Sequence, residues 1–274
     1  MRIYLDHNAT TPVDPVAAEA MMRSLQHLFG NASSVHYYGQ QAKAALDNAR
    51  SALAALVGAE PAEVIFTSGG TEADNFAIRG AAEALEPSGR KHLITSGIEH
   101  EAVLNTFKAL AKRGWRTTVL PLDASGSVSA DRLRDAMTED TALVSIMHAN
   151  NEIGTIQPIT ELATIAHAHG ALFHTDAVQS VGKIPVNVRT LGVDLLAVSG
   201  HKFYGPKGIG ALWVKRGVRL SPFLSGGKQE RNRRAGTENV PGAIGMGIAA
   251  SLAMQKMDAE AGRLSALRDR KSVV

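Results

Sequence analysis

Seven short apolar runs, at 63–67, 92–95, 117–120, 142–147, 171–175, 194–198 and 210–214, alternate with longer stretches whose apolar residues recur at helical intervals. The longer stretches, 71–85, 102–113, 129–137 and 159–169, include alanine-rich interiors that favour helix. Alternation of this kind predicts an α/β fold: a mostly parallel seven-stranded sheet with helices on both faces. In such sheets ligands bind beyond the carboxyl ends of the strands. A glycine- and alanine-rich stretch from 241 to about 270 reads as one long terminal helix, and no internal repeat interrupts the pattern.

Polar residues gather just after five of the runs, at 67–71, 96–100, 148–152, 176–179 and 199–202. The last of these is Ser199-Gly200-His201-Lys202, directly after Leu195-Leu196-Ala197-Val198. A lysine presented at the end of a buried strand is placed to form an imine with an aldehyde, provided burial or nearby cations lower its pKa. Asp176 closes the preceding run and brings a carboxylate to the same rim. Pyridoxal phosphate chemistry needs such a pair, an amine for the aldehyde and an acid that keeps the pyridine nitrogen protonated. The acid has a second reading, as the cap of a following helical turn on which Gln179 would also lie.

Ser68-Gly69-Gly70-Thr71-Glu72 stands between a strand and a helix, where unpaired backbone N–H groups and the helix dipole favour a phosphate. An ordinary capped turn is the alternative. Gly205-Pro206-Lys207-Gly208-Ile209-Gly210 precedes a strand, so it fails the context of a dinucleotide fingerprint. His100 is either a satisfied loop histidine or a flat ring available to stack on an aromatic cofactor. His167, His169 and His174 lack the facing and the carboxylates of a metal site, and no metal is expected. Arg231, Arg233 and Arg234 with Gly236 and Thr237 form a loop suited to a phosphate, a subunit neighbour or solvent.

Composition narrows the function classes. Basic residues exceed acidic ones by only three, and aromatics make up 5%, so a continuous nucleic-acid surface is not expected. The apolar stretch 243–254 is too short for a bilayer span, and an acid at position 6 argues against a secretory leader, which together suggest a cytoplasmic protein. Cysteine is absent, which excludes disulfides and cysteine-bound metal within these 274 residues.

Ordered motifs then give the chain a family likeness. Tyr4-Leu5-Asp6-His7-Asn8-Ala9-Thr10-Thr11-Pro12, Gly30-Asn31-Ala32-Ser33-Ser34-Val35-His36, the 67–75 segment, His100, Asn150-Asn151-Glu152-Ile153-Gly154, the 176–183 segment, 199–210 and Arg233-Arg234-Ala235-Gly236-Thr237-Glu238-Asn239 together resemble the cysteine desulfurases that supply sulfur for iron–sulfur clusters and nitrogenase. Ala32 stands where that family usually has proline. The resemblance implies a PLP-dependent transferase-like fold of the aspartate aminotransferase type. It implies an N-terminal arm (1–15), a large cofactor-binding domain (16–245) and, at 246–274, the start of a C-terminal domain.

The resemblance also implies roles. Lys202 would hold pyridoxal phosphate and His100 would stack on its ring, these two being the catalytic residues. Asp176 would pair with the ring nitrogen, Gln179 would contact the ring oxygen, and Gly70, Thr71, Ser199 and His201 would bind the phosphate. Asn151 would touch cofactor or substrate. Thr237 would reach the phosphate of a partner subunit, which implies a homodimer. L-cysteine would be the substrate, and an iron–sulfur scaffold or another acceptor would take the sulfur.

The family's nucleophilic cysteine and its carboxylate-gripping arginine have no counterpart in these residues. A chain without them is expected to fail to complete turnover, and 271–274 also leave the family's pattern. Two other readings stand beside the desulfurase: a non-catalytic remnant that only binds the cofactor or a dimer partner, and a lyase or aminotransferase that needs no enzyme thiol.

Overall fold

The computed structural model describes residues 2–271, Lys271 by its backbone alone. Its strands are β1 (Val64–Thr67), β2 (His92–Ser96), β3 (Arg116–Leu120), β4 (Thr141–Ser145), β5 (Leu172–Asp176), β6 (Leu195–Ser199) and β7 (Gly210–Val214). They form one seven-stranded sheet in the order β1-β7-β6-β5-β4-β2-β3. Pairing is parallel from β3 across to β6, whereas β7 runs antiparallel to both its neighbours, β6 and β1. Six strands therefore end on one rim, and β7 alone starts there.

The helices are α1 (Pro15–His27), α2 (Tyr37–Val57), α3 (Gly70–Leu85), α4 (Glu101–Ala111), α5 (Ala130–Ala136), α6 (Ile159–Ala168), α7 (Val188–Leu191), the short turn α8 (Gln229–Asn232) and α9 (Val240–Lys271). Local chemistry starts several of them. Asp14 accepts the Val16 N–H at the head of α1, with proline at the first helical position, and Nδ1 of His100 accepts the Ala102 N–H at the head of α4.

Strand residues alternate between two cores, as a pleated strand requires. Leu196 and Val198 of β6 join the core under α2, α5, α6 and α9, whereas Leu195 and Ala197 join the one under α3 and α4. Helices thus cover both faces, and the loops at the rim are left to carry polar groups. The segment after Asp176 corrects one expectation: residues 178–183 form successive turns instead of a helix.

The long terminal helix begins at Val240, one residue before the sequence estimate, and runs unbroken across the expected boundary at 245/246. Ala243, Met246, Ala249 and Ala250 are buried, whereas Met254, Leu264 and Leu267 are exposed. Its crossing with α2 is tight: a Cβ on Gly247 would lie 2.7 Å from the Cα of Ala49. Any larger residue there would push the two helices apart.

The arginine-rich loop is anchored from below. Arg50 of α2 makes a bidentate pair with Glu230 at 2.7 and 2.8 Å, and both side chains are buried. Glu230 also accepts the Phe66 N–H (3.1 Å), and Arg50 donates to the Val64 carbonyl (2.8 Å) and lies over the Phe66 ring. Glu230, Arg231 and Asn232 all adopt left-handed backbone, which non-glycine residues hold only when surrounding contacts compensate. Glu230→Ala would leave a buried guanidinium unpaired, so it is expected to lower unfolding free energy by about 3–5 kcal/mol. Urea denaturation measures this, and a loss near zero would show that the pair does not anchor the loop.

Candidate functional site

The rim where six strands end holds a cleft of about 470 Å³, lined by Ala9, Thr10, residues 68–72, Ser199, His201, Lys207 and Gly208. Its floor is the start of α3, whose cap residue Gly69 offers no side-chain hydrogen bond. The first N–H groups of that helix have no intrahelical partners and point toward its amino end, which makes the floor an anion cradle. Close packing keeps the cradle open: a Cβ on Gly70 would come within 2.8 Å of Val178 Cγ2 and 3.4 Å of Ser199 Cβ. Glu72 does not compete for the cradle, because its carboxylate accepts the Ser68 N–H and pairs with Arg234.

Lys202 ends the single-turn segment Gly200–Lys202 that follows β6. Its ammonium donates to the carbonyls of Asn8 (2.6 Å) and Ala9 (2.9 Å). Burial pushes this amine below the ordinary lysine value, against the opposing pull of Asp176 and Asp6. Asp176 terminates the adjacent parallel strand β5 and is buried, its Oδ1 accepting the Val178 N–H at 2.8 Å. Burial raises its carboxyl pKa, while His100 and Lys202 favour its charge. Amine and acid thus sit at one rim, on neighbouring strands and within electrostatic reach.

The N-terminal arm is strapped across this rim. Thr11 bonds the His201 carbonyl through both its N–H and its hydroxyl, and Thr10 Oγ1 lies 3.0 Å from His201 Nδ1. Asn8 is the hub: its carbonyl accepts from Lys202 and Gln179, its Oδ1 from Lys183, and its amide donates to the Asn151 carbonyl. Burial first, then the charges of Lys202, Lys207 and Lys183, lower the pKa of His201 and favour its neutral, hydrogen-bonding ring.

The expected residues divide into three groups. Gly70, Thr71, Ser199 and His201 line the cleft. Lys202, Asp176, Gln179, His100 and Asn151 are not among its lining residues: Lys202, Gln179 and Asn151 are tied to the arm at Asn8, Asp176 lies within electrostatic reach of Lys202 and His100, and His100 caps α4. Thr237 lines an adjoining, smaller cleft of about 120 Å³ that shares Ser68 and Gly208 with the first and also includes Glu230 and Arg234.

Lys183 is a site residue that reasoning from the sequence passed over. It donates to Gln179 Oε1 at 2.8 Å, and burial together with Lys202 brings its pKa down to about 8. Its spacing of four from Gln179 was the available signal. The histidines set aside as metal ligands have other partners: His167 meets Asp194, His169 meets the Ile165 carbonyl, and His174 meets Ser145.

Together these features offer an amine nucleophile, an acid for a ring nitrogen and a cradle for a phosphate. Comparison with known proteins is consistent. The aminotransferase class-V sequence profile matches residues 3–270. "Cysteine desulfurase IscS" of Dictyoglomus turgidum is 55% identical over 97% of this chain and 68% of its own length. "Cysteine desulfurase" of Gluconacetobacter diazotrophicus is 54% identical over 98% of this chain and 67% of its own. Among solved structures, a "NifS-like protein" superposes with a TM-score of 0.96 at 41% identity, covering 98% of this chain and 74% of that one. "SspA in complex with cysteine" gives 0.88 at 41%, covering 91% and 72%. The chain spans about two thirds of the length of these curated relatives.

Proposed function

Because the chain belongs to the aminotransferase class-V family, we propose that it is the cofactor-binding part of a pyridoxal phosphate-dependent cysteine desulfurase, acting on L-cysteine to give L-alanine and transferable sulfur. The observation that carries this reading is the meeting of Lys202 and Asp176 at the ends of adjacent strands beside the uncapped start of α3. The donor set fits the cofactor. The cleft is lined by Lys207 and a helix N-terminus for a phosphate, while Lys202, next to the lining residue His201, and the buried Asp176 would serve an aldehyde and a ring nitrogen.

When bound, pyridoxal phosphate supplies an electron-accepting ring that stabilises the charge left when a bond to an amino acid's α-carbon breaks. The residues of this chain do the rest. Gly70, Thr71, Ser199 and His201 would hold the phosphate, and Gln179 would hydrogen-bond the ring oxygen. Asp176 would keep a proton on the ring nitrogen, and His100 would stack on the ring. Lys202 would hold the cofactor through its aldehyde and would take up the substrate's α-proton at Nζ, a task suited to an amine whose pKa burial has lowered. Asn151 contacts cofactor or substrate, with its loop held to the arm through Asn8.

Further parts of the proposal concern what surrounds the site. Thr237, in the adjoining smaller cleft, serves the phosphate of a second copy, so the protein acts as a homodimer. An iron–sulfur scaffold or a similar protein takes the sulfur. The division into arm (1–15), body (16–245) and the opening of a further domain (246–274) is part of this reading; the exposed Met254, Leu264 and Leu267 support the last only for the second half of α9, since Met246, Ala249 and Ala250 pack in the core of the body. Among the described residues no helix is long and apolar enough to cross a membrane, and a cytoplasmic location is proposed.

These 274 residues hold no cysteine, so no persulfide can form on them. Incubated with cofactor and L-cysteine, the chain is expected to form alanine only when a thiol acceptor is added, as chromatography of the products would show. Alanine formed at the same rate without an added acceptor would contradict this. A chain that binds cofactor yet forms no alanine with any acceptor would favour the binding-only remnant, the alternative consistent with the missing thiol.

A further inference from the structure

Behind Asp176 the sheet buries a second set of ionisable groups that the proposed chemistry does not use. His174 precedes Asp176 by two residues on β5, so both side chains leave the same face of the strand. Asp74, one turn past Gly70 in α3, meets His174 there, with 3.6 Å between Oδ1 and Nε2. His174 is 0% exposed and Asp74 1%, and neither of those two atoms has a hydrogen-bond partner. The pair is just out of bonding range, and a shift of roughly 0.6 Å would close it. The other ring nitrogen, Nδ1, lies 2.8 Å from Ser145 Oγ.

Glu99 completes the cluster. Its Oε1 accepts from the Ser96 hydroxyl (2.5 Å) and the Met147 N–H (2.9 Å), while Oε2 has no partner. Three carboxyl groups therefore share one buried region, and three charges cannot coexist there. Of the three carboxyls only Asp176 lies within reach of a lysine, Lys202. Burial, then the nearby Asp176 and Glu99, drives the Asp74 carboxyl well above its usual range. Burial likewise pushes Glu99 up to about 8 and takes His174 down to about 3. An ionised Asp74–His174 pair would place two charges in the interior without the extra hydrogen bonds that such pairs need.

We propose that Asp74 is a neutral carboxylic acid donating its proton to Nε2 of a neutral His174, a positioning pair that leaves Asp176 as the single charge of the buried cluster. His174 then donates from Nδ1 to Ser145, which fixes its tautomer. A second carboxylate beside Asp176 would raise the pKa of Asp176 further and remove the charge that a protonated ring nitrogen requires. This consequence rests on the proposed cofactor role of Asp176. The protonation states do not.

Two variants separate the possibilities. Asp74→Asn keeps the shape and offers an N–H to Nε2, whereas Asp74→Ala removes the partner altogether. In the full chain near neutral pH, nitrogen-15 NMR is expected to show His174 protonated at Nδ1 and bare at Nε2. Infrared spectra are expected to show a carboxylic acid C=O band that Asp74→Asn removes. Pyridoxal phosphate affinity, followed by titration, is expected to change by less than about threefold in Asp74→Asn and to fall about tenfold or more in Asp74→Ala.

A doubly protonated His174, no acid band assignable to Asp74, or an Asp74→Asn variant that binds as poorly as Asp74→Ala would overturn the proposal. Failure of every form to bind pyridoxal phosphate, with the NMR and infrared patterns intact, would instead sink the functional reading and leave the proton assignment standing.

Discussion

Lys202→Ala is expected to abolish the visible absorption band that the protein gains on mixing with pyridoxal phosphate, and to lower any alanine formation from cysteine by roughly 10²–10⁴, the range for losing a positioned proton-transfer group. The expectation follows from where the amine sits. The turn after β6 holds it at the rim, two arm carbonyls fix its position, and burial makes its unprotonated form accessible. Lys183 is the one serious competitor. Its pKa of about 8 makes it the readier nucleophile on acidity alone. Its position speaks against it: its ammonium is held by Gln179 Oε1 and Asn8 Oδ1, whereas Lys202 directly follows the cleft-lining His201. A band that survives Lys202→Ala and disappears in Lys183→Ala would show that acidity had outweighed position.

Asp176→Asn should separate function from stability. Removing the charge opposite a ring nitrogen is expected to reduce turnover by roughly 10²–10³, as for other groups that stabilise charge in a dry site. Folding should respond in the opposite direction. Burial raises the Asp176 pKa in the folded state, so its ionised form opposes folding at pH above that value, and the penalty disappears as pH falls through it. A neutral isostere escapes the penalty, so the cofactor-free variant should be as stable as the parent near neutral pH, or more so. Thermal unfolding without cofactor and turnover with it measure the two effects. A variant that is both less stable and fully active would refute both halves of the expectation.

Part of the site was legible because each clue was local. A lysine after a buried strand, an acid after its neighbour and a glycine pair before a helix can all be read from spacing, since strand ends collect at one rim whatever the side chains are. The arm was legible only as a conserved-looking motif. Its role as a strap depends on Asn8 meeting Lys202, Gln179, Lys183 and Asn151, which lie between 143 and 194 residues away.

The turns after Asp176 were misjudged for a related reason. A carboxylate followed by small and polar residues caps a turn and a helix alike, and only packing against the arm and α3 chooses between them. The seven strands, helices α3 to α6 and the long terminal helix followed from the chain's own periodicity, because burying apolar residues on two faces admits few patterns, whereas α1 and α2 were not read from it. Folding alone decided that β7 runs against its neighbours, that Arg50 supports a loop 180 residues further on, and that Oδ1 of Asp74 and Nε2 of His174 face each other, neither atom with a hydrogen-bond partner. Those outcomes depend on desolvation and on distances between remote segments, and a linear order of residues carries neither.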